Sequence, residues 1–287
     1  MGNKFFGVVE GFYGKPYDFR ERLDLIKFLS KVGLDTYIYG PKDDIYHREK
    51  WFAMYPRSKM REFKELNKLS SSNNIRFNYA LSPMSQPDSS KIINKVQSMV
   101  EIGISQFSIF YDDITVQLNK ETALRQVSTA NELLVFLKKQ IPEPILFFCP
   151  TQYHGYKKTE YIMTIAENLD KDIEIFWTGP KVVSKRITRH HLQKINDITK
   201  RKPLIWDNLF ANDYLSGTIL KFPYRYRSPQ ILEKTCGILI NPMNQYRPSK
   251  PLIFTAAEFI KDPYKYVPGK TWRKLPAFTM QNPGSHG

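Results

Sequence analysis

Long apolar runs are missing from this sequence. None approaches the roughly 20 residues that a bilayer-spanning helix requires, so no membrane association is expected. The opening Met1-Gly2-Asn3-Lys4 leads straight into Phe5-Phe6-Gly7-Val8-Val9, with no room for a leader. Phe6 stands where a myristoylation signal needs Ser or Thr. The expected location is therefore cytoplasmic or nucleocytoplasmic. Cysteine is scarce: Cys149 and Cys236 cannot build a disulfide framework and lack metal-ligand spacing. They read as two buried thiols in a reducing compartment. No His/Cys cluster, Gly-x-Ser-x-Gly or Walker loop occurs. Metal-dependent hydrolysis, serine hydrolysis and nucleotide binding are left without support, and neither a metal nor another cofactor is expected. Acidic residues are outnumbered, 28 against 43 Lys and Arg, which gives a net charge of +15. Such a surface attracts polyanions or acidic protein surfaces. The basic clusters near residues 57–68, 181–194 and 200–202 have helical spacing. They read as solvated outer faces rather than nucleic-acid stripes, so nucleic acid is not expected as a partner.

What is present is a periodic alternation. The chain has 287 residues, 41% hydrophobic and 14% aromatic, enough to bury a substantial core and to exclude whole-chain disorder. Short β-branched and aromatic runs begin at Phe5, Asp35, Ile75, Gln106, Ile145, Glu174, Pro203 and Cys236. Continuously apolar runs of this kind fit strands buried on both faces. Amphipathic stretches separate them, over 18–32, 58–69, 89–102, 122–139, 158–169, 189–199 and 249–260, with Asp18 a good N-cap. The segment 211–233 is weaker and reads as a long loop with a short helix near 228–234. Strand and helix repeated eight times predict an α/β fold, a single-domain (β/α)8 TIM barrel over residues 1–262. An irregular tail, 263–287, follows. The doubly wound alternative lacks its Gly-rich phosphate loop after the first strand.

Active sites of such barrels lie at the C-terminal ends of the strands. Here those ends carry Glu10-Gly11, Lys42-Asp43-Asp44, Ser82-Pro83, Asp112-Asp113, Thr151 to Tyr153, Trp177-Thr178-Gly179, Trp206-Asp207-Asn208 and Asn241. Carboxylates and amides suit sugar hydroxyls, and aromatic faces suit the apolar side of a sugar ring. Asp112-Asp113 is the sharpest feature. Adjacent carboxylates repel, so one holds a proton and donates it while the other stays ionised. Side chains alternate along a strand, so both reach one ligand only if the strand ends or bends there. A helix N-cap or a solvated loop pair is the equally weighted alternative. Asp43-Asp44 competes for the role, but the nearby His47 and Arg48 favour a structural ion pair. The histidines are scattered, and Lys42 is kept as a donor at the mouth.

These motifs resemble glycoside hydrolase family 84, the family of protein O-GlcNAcases and of bacterial β-N-acetylglucosaminidases, some named hyaluronidases. The resemblance rests on Gly7-Val8-Val9-Glu10-Gly11-Phe12-Tyr13-Gly14 and Tyr37 to Asp44 with His47-Arg48. It continues through Asp112-Asp113, Phe148 to Tyr153, Trp177-Thr178-Gly179-Pro180, Trp206-Asp207-Asn208 with Asn212-Asp213-Tyr214, and Asn241-Pro242. It covers about residues 5–262, in order. The resemblance implies an exo-β-N-acetylglucosaminidase that removes GlcNAc, including O-GlcNAc from Ser or Thr. The implied mechanism retains configuration through an oxazoline formed by the substrate's own acetamido group, one of the exceptions to the two-carboxylate scheme. By motif position, Asp112 orients the acetamido N–H, and Asp113 is general acid and then base. Tyr153 meets the acetamido oxygen and Trp206 walls that pocket. Asp213 holds O4 and O6, with Gly11 (through its carbonyl), Lys42, Asn208 and Asn241 at other hydroxyls. The sequence departs from the family pattern at Gln152, usually Glu, at Tyr17, usually Trp, and in the aromatic segment 221–226. Family members usually continue into a helical domain used in polypeptide binding and dimerisation, which is not read in this sequence. A non-catalytic GlcNAc-binding or regulatory barrel is the alternative; the presence of both aspartates speaks against it.

Overall fold

Eight short strands close on themselves in the computed structural model, which describes residues 4–215 and 217–279. They are β1 (Phe5–Glu10), β2 (Thr36–Tyr39), β3 (Arg76–Leu81), β4 (Gln106–Phe110), β5 (Ile145–Cys149), β6 (Ile173–Trp177), β7 (Leu204–Asp207) and β8 (Gly237–Ile240). Each pairs in parallel with its sequence neighbour, and β8 returns to β1. The expected (β/α)8 barrel is the observed fold, with all eight strands where the apolar runs place them.

Alternation along each strand sorts the core into two layers. Val9, Ile38, Ala80, Phe110, Phe147, Cys149, Phe176, Trp206 and Leu239 fill the barrel interior. Their neighbours Val8, Tyr37, Ile109, Phe148, Ile175, Ile205 and Ile238 face outward into the helix layer. That layer comprises α1 (Phe19–Val32), α2 (Arg57–Ser72), α3 (Ser89–Val100), α4 (Lys120–Gln140), α5 (Glu160–Asn168), α6 (Arg189–Thr199), α7 (Ile231–Lys234) and α8 (Tyr246–Lys261). Asp18 caps α1 in a reciprocal box with Glu21, and Gly33 ends it at φ 78°; such caps answer the orphan amides and carbonyls of helix ends.

One expectation needs correction. The tail beyond residue 262 is not irregular throughout. It contains α9 (Pro268–Arg273) and a 3-10 turn, Ala277–Thr279. Tyr266 anchors it, donating to the Tyr224 carbonyl at 2.7 Å. Six helical residues are too few to leave a 3.6-residue periodicity in the sequence. The rest of the expected tail, and the first three of the residues read for a leader, lie outside the described residues.

Candidate active site

A cavity of about 370 Å³ opens at the C-terminal mouth of the barrel. Eight of the nine predicted site residues line it: Gly11, Asp112, Asp113, Tyr153, Trp206, Asn208, Asp213 and Asn241. The ninth, Lys42, lies directly behind, with its ammonium donating to Asp112 Oδ2 and its side chain 1% exposed.

The aspartate pair converges because the strand bends. Phe110 faces the barrel interior and Tyr111 the helices, so Asp112 follows the alternation inward. Asp113 would then point away, but its φ of 53° turns it back over the cavity. Aspartate tolerates that left-handed region better than most residues, and functional sites often hold such strain. The two carboxylates are held differently. Asp112 gives Oδ2 to Lys42, while its Oδ1 is buried and has no protein partner. Asp113 accepts from the Tyr153 hydroxyl at 2.6 Å and the Tyr13 hydroxyl at 3.0 Å. Burial and the Asp113 charge push both tyrosines well above the usual phenol range, so both stay protonated donors. Arg48 completes the support, donating to the Tyr13 hydroxyl at 2.9 Å and to the Asp113 carbonyl at 3.3 Å.

Amides line the opposite wall. The Gly11 N–H donates to Asn241 Oδ1 at 3.3 Å, Asn241 Nδ2 to Asn208 Oδ1 at 2.9 Å, and Asn208 Nδ2 to the Val182 carbonyl at 2.9 Å. Gly11 is required by close approach: a Cβ there would stand 2.2 Å from the Trp206 indole. That indole is fixed by a tilted Phe110 ring and an edge-on Phe176 ring, with centroids 5.1 and 5.4 Å away. The Lys42 ammonium sits 5.3 Å from its ring centroid. Asp213 reaches the mouth from the turn after β7, where its Oδ2 accepts the Tyr13 N–H at 2.9 Å.

Other strand-end groups are turned elsewhere. Glu10 is engaged outside the barrel by Arg22, with Nη2 to Oε1 at 2.7 Å, and by the Tyr37 hydroxyl at 2.5 Å. Asp207 is held by Arg227 and by Tyr224 at 2.7 Å. Trp177 faces the helix layer and donates to the Gly155 carbonyl at 3.1 Å. The ion pair expected for Asp43-Asp44 does not form. Asp43 is exposed. Asp44 takes the Tyr39 and Tyr55 hydroxyls at 2.6 and 2.7 Å, while Arg48 is drawn to Tyr13. The reason is local: the β2–α2 loop tucks Asp44 under an aromatic cluster, and three phenol or amide donors satisfy it there. Val182, Val183, Tyr13 and Tyr214 also line the cavity. Sequence reasoning assigned them no role, although Tyr13 and Tyr214 lie inside quoted motifs and Val182 and Val183 follow one closely. Asp213 was reached through the resemblance alone, since it lies in a loop rather than at a strand end. Among the described residues no group of three or more His, Cys, Asp or Glu is placed to hold a metal. No described helix is long and apolar enough to cross a membrane.

A parallel barrel with paired carboxylates, amides and an indole wall at its C-terminal mouth defines a glycosidase-type (β/α)8 protein. Comparison with known proteins makes the assignment specific. The β-N-acetylglucosaminidase family model matches residues 6–284, and the chain belongs to that family. It is 36% identical over 274 residues to the protein O-GlcNAcases of Rattus norvegicus and Mus musculus, covering 89% of this chain. The chain spans 30% of the length of those relatives. A mutant O-GlcNAc hydrolase of Thermobaculum terrenum superposes with a TM-score of 0.92 at 32% identity, over 97% of this chain and 63% of that one.

Proposed function

We propose that this site removes terminal β-linked GlcNAc, including O-GlcNAc on Ser or Thr of proteins, with retention of configuration. The observation that carries the reading is the asymmetry of Asp112. One oxygen is neutralised by Lys42, and the other is buried without a partner beside the cavity. A buried acceptor in that state favours a ligand N–H strongly. The 2-acetamido N–H of GlcNAc supplies one, and drawing on it makes the acetamido oxygen a better nucleophile toward the anomeric carbon. Tyr153 stands at the same wall to meet that oxygen. Asp113, at the mouth, protonates the departing glycosidic oxygen and then takes the proton from the water that opens the oxazoline. Asp213, Asn208, Asn241 and the Gly11 carbonyl take the ring hydroxyls, with Trp206 behind the acetamido methyl and Lys42 acting through Asp112. Residues 1–262 form the catalytic unit in this reading. The two buried free thiols, Cys149 and Cys236, suit a reducing, cytoplasmic or nucleocytoplasmic setting.

The test is turnover of aryl β-GlcNAc substrates, with the anomer of the first product read by NMR. Release of β-GlcNAc supports the proposal; absence of release, or first-formed α-GlcNAc, overturns it. Asp113→Asn separates the acid role. Substrates with poor leaving groups should lose nearly all turnover, while activated aryl leaving groups, which need little protonation, lose far less. Equal losses on both classes would contradict the assignment.

A further inference from the structure

Beside the sugar cavity lies a second groove of about 230 Å³, and Val183 and Tyr214 form walls of both. It is built from two loops, one following β6 and one following β7. Arg227 ties them together. Its guanidinium is seated on Asp207 and donates to the Ser184 carbonyl at 2.9 Å and the Lys185 carbonyl at 3.0 Å. Backbone bonds from Ile187 to Tyr226 at 3.0 Å and from Ser228 to Ile187 at 3.1 Å close the seam. The groove is therefore held in place by β7, the strand that delivers Trp206 and leads into Asn208.

Its charge is one-sided. Between Thr178 and His190 there are four basic residues and no acidic one; between Tyr214 and Gln230 there are three basic residues and again no acidic one. Arg227 is neutralised by Asp207. Lys185 and Arg225, which line the groove, have no carboxylate within salt-bridge distance among the described residues. Arg225 is braced over the Phe222 ring at 4.4 Å and the Tyr226 ring at 5.2 Å, which orders the guanidinium before any ligand arrives. These positions also correct the reading of residues 181–194 as an outer helix face. The helix α6 starts at Arg189, and Lys185 precedes it at the mouth.

We propose that this groove takes acidic side chains of the polypeptide that flanks the glycosylated Ser or Thr. The proposal rests on the GlcNAc-removing reading of the adjoining cavity. Continuity through Val183 and Tyr214 places the groove where the chain beyond the sugar must leave. Two unpaired cations on an aromatic floor complement Asp or Glu at short range. A glycan is disfavoured by the lining. The sugar cavity is walled with carboxylates and amides, whereas the groove offers Val, Leu and aromatic surface with no carboxylate or amide side chain.

The experiment measures binding, so that it is independent of turnover. Two fluorescent peptides of equal length carry a thio-linked GlcNAc that resists hydrolysis, one flanked by Asp and one by Asn at the same positions. Wild-type protein should bind the Asp peptide more tightly. The Kd advantage should fall about three- to tenfold in Lys185→Gln/Arg225→Gln, as expected for two partly exposed charge pairs. A control that removes the same charge from α2, Lys64→Gln/Lys68→Gln, should keep the wild-type ratio. Equal affinity for both peptides in the wild type, or the same fall in both double variants, overturns the proposal. So does a fall seen for hyaluronan fragments and not for the Asp peptide. Aryl β-GlcNAc turnover, read in parallel, tests the sugar cavity by itself, so either reading can fail without the other.

Discussion

Asp112 shows how a single side chain divides its two oxygens between scaffold and ligand. Lys42 holds Oδ2 from behind, and the Trp206 and Phe110 rings keep that ammonium away from water. An uncompensated charge in such a place would be costly, so the lysine and the aspartate each require the other. Oδ1 remains as a buried acceptor without a partner, on a residue that lines the cavity. In Asp112→Asn the amide must place its NH2 either against the Lys42 ammonium or against the acetamido N–H. Both are donor against donor. The rate on aryl β-GlcNAc should fall by about 10²–10⁴, the range for losing a positioned catalytic group. A thiazoline analogue of the oxazoline should bind the wild type tightly and this variant poorly. A variant within tenfold of wild type in both measurements would remove Asp112 from the reaction.

At the scale of elements, the β2–α2 loop acts as the buttress of the site. It supplies Lys42, Asp44, His47 and Arg48 from one short stretch. His47 is fully buried, donates Nδ1–H to the Ala80 carbonyl at 2.9 Å, and presents its ring edge to Phe110. Burial, with the Lys42 charge second, lowers it from 6.5 to about 3. Between those values the unfolded chain binds a proton that the folded chain refuses. Folding stability from this group therefore rises with pH across the window and is lost as pH falls from about 6.5 toward 3, by about 1.4 kcal/mol per unit. His47→Asn keeps a donor for Ala80 and removes the titration. Its Tm should start lower at pH 7 and decline less steeply toward pH 5 than that of the wild type; parallel curves would show that His47 does not carry the acid sensitivity. None of this coupling was legible in the sequence, where His47 is one of several scattered histidines. The strands were legible because burial on both faces leaves continuous apolar runs such as Phe107 to Tyr111. The cavity wall was largely legible too, because a barrel places strand ends at one mouth. What escaped depends on tertiary geometry: the left-handed turn at Asp113, the Tyr13–Arg48 brace, the tyrosine cage of Asp44, and the loop position of Lys185. Position along a chain does not tell which way a loop side chain turns, and Glu10 and Asp207 illustrate it, since both sit at strand ends and both are drawn outward by arginines.

Across the whole molecule, the acidic residues are partly withdrawn from the surface. Glu10, Asp112 and Asp207 are buried with their cationic partners. Exposed pairs such as Lys138–Asp172 and Lys265–Asp262 are few against a net charge of +15. Each of these buried pairs is neutral, so the outer shell remains strongly basic, and its self-repulsion opposes the compact state. Raising NaCl from about 10 to about 100 mM shortens the screening length from about 30 to about 10 Å. That relieves the repulsion between surface cations and leaves the buried pairs nearly untouched. Tm should rise by about 2–4 °C, the equivalent of roughly 1 kcal/mol in a domain of this size. The measurement is a melt in NaCl rather than sulfate, whose exclusion from protein surfaces stabilises any fold. A Tm that falls with salt would mean that attractive surface pairs outweigh the net repulsion. The same screening should weaken the hold of Lys185 and Arg225 on an acidic peptide, so stability and acidic preference must move in opposite directions along one salt axis. A joint decline of both would mean that attractive surface pairs outweigh the net repulsion while the groove still acts by charge; an acidic preference that salt leaves unchanged would mean that the groove is neutral in effect.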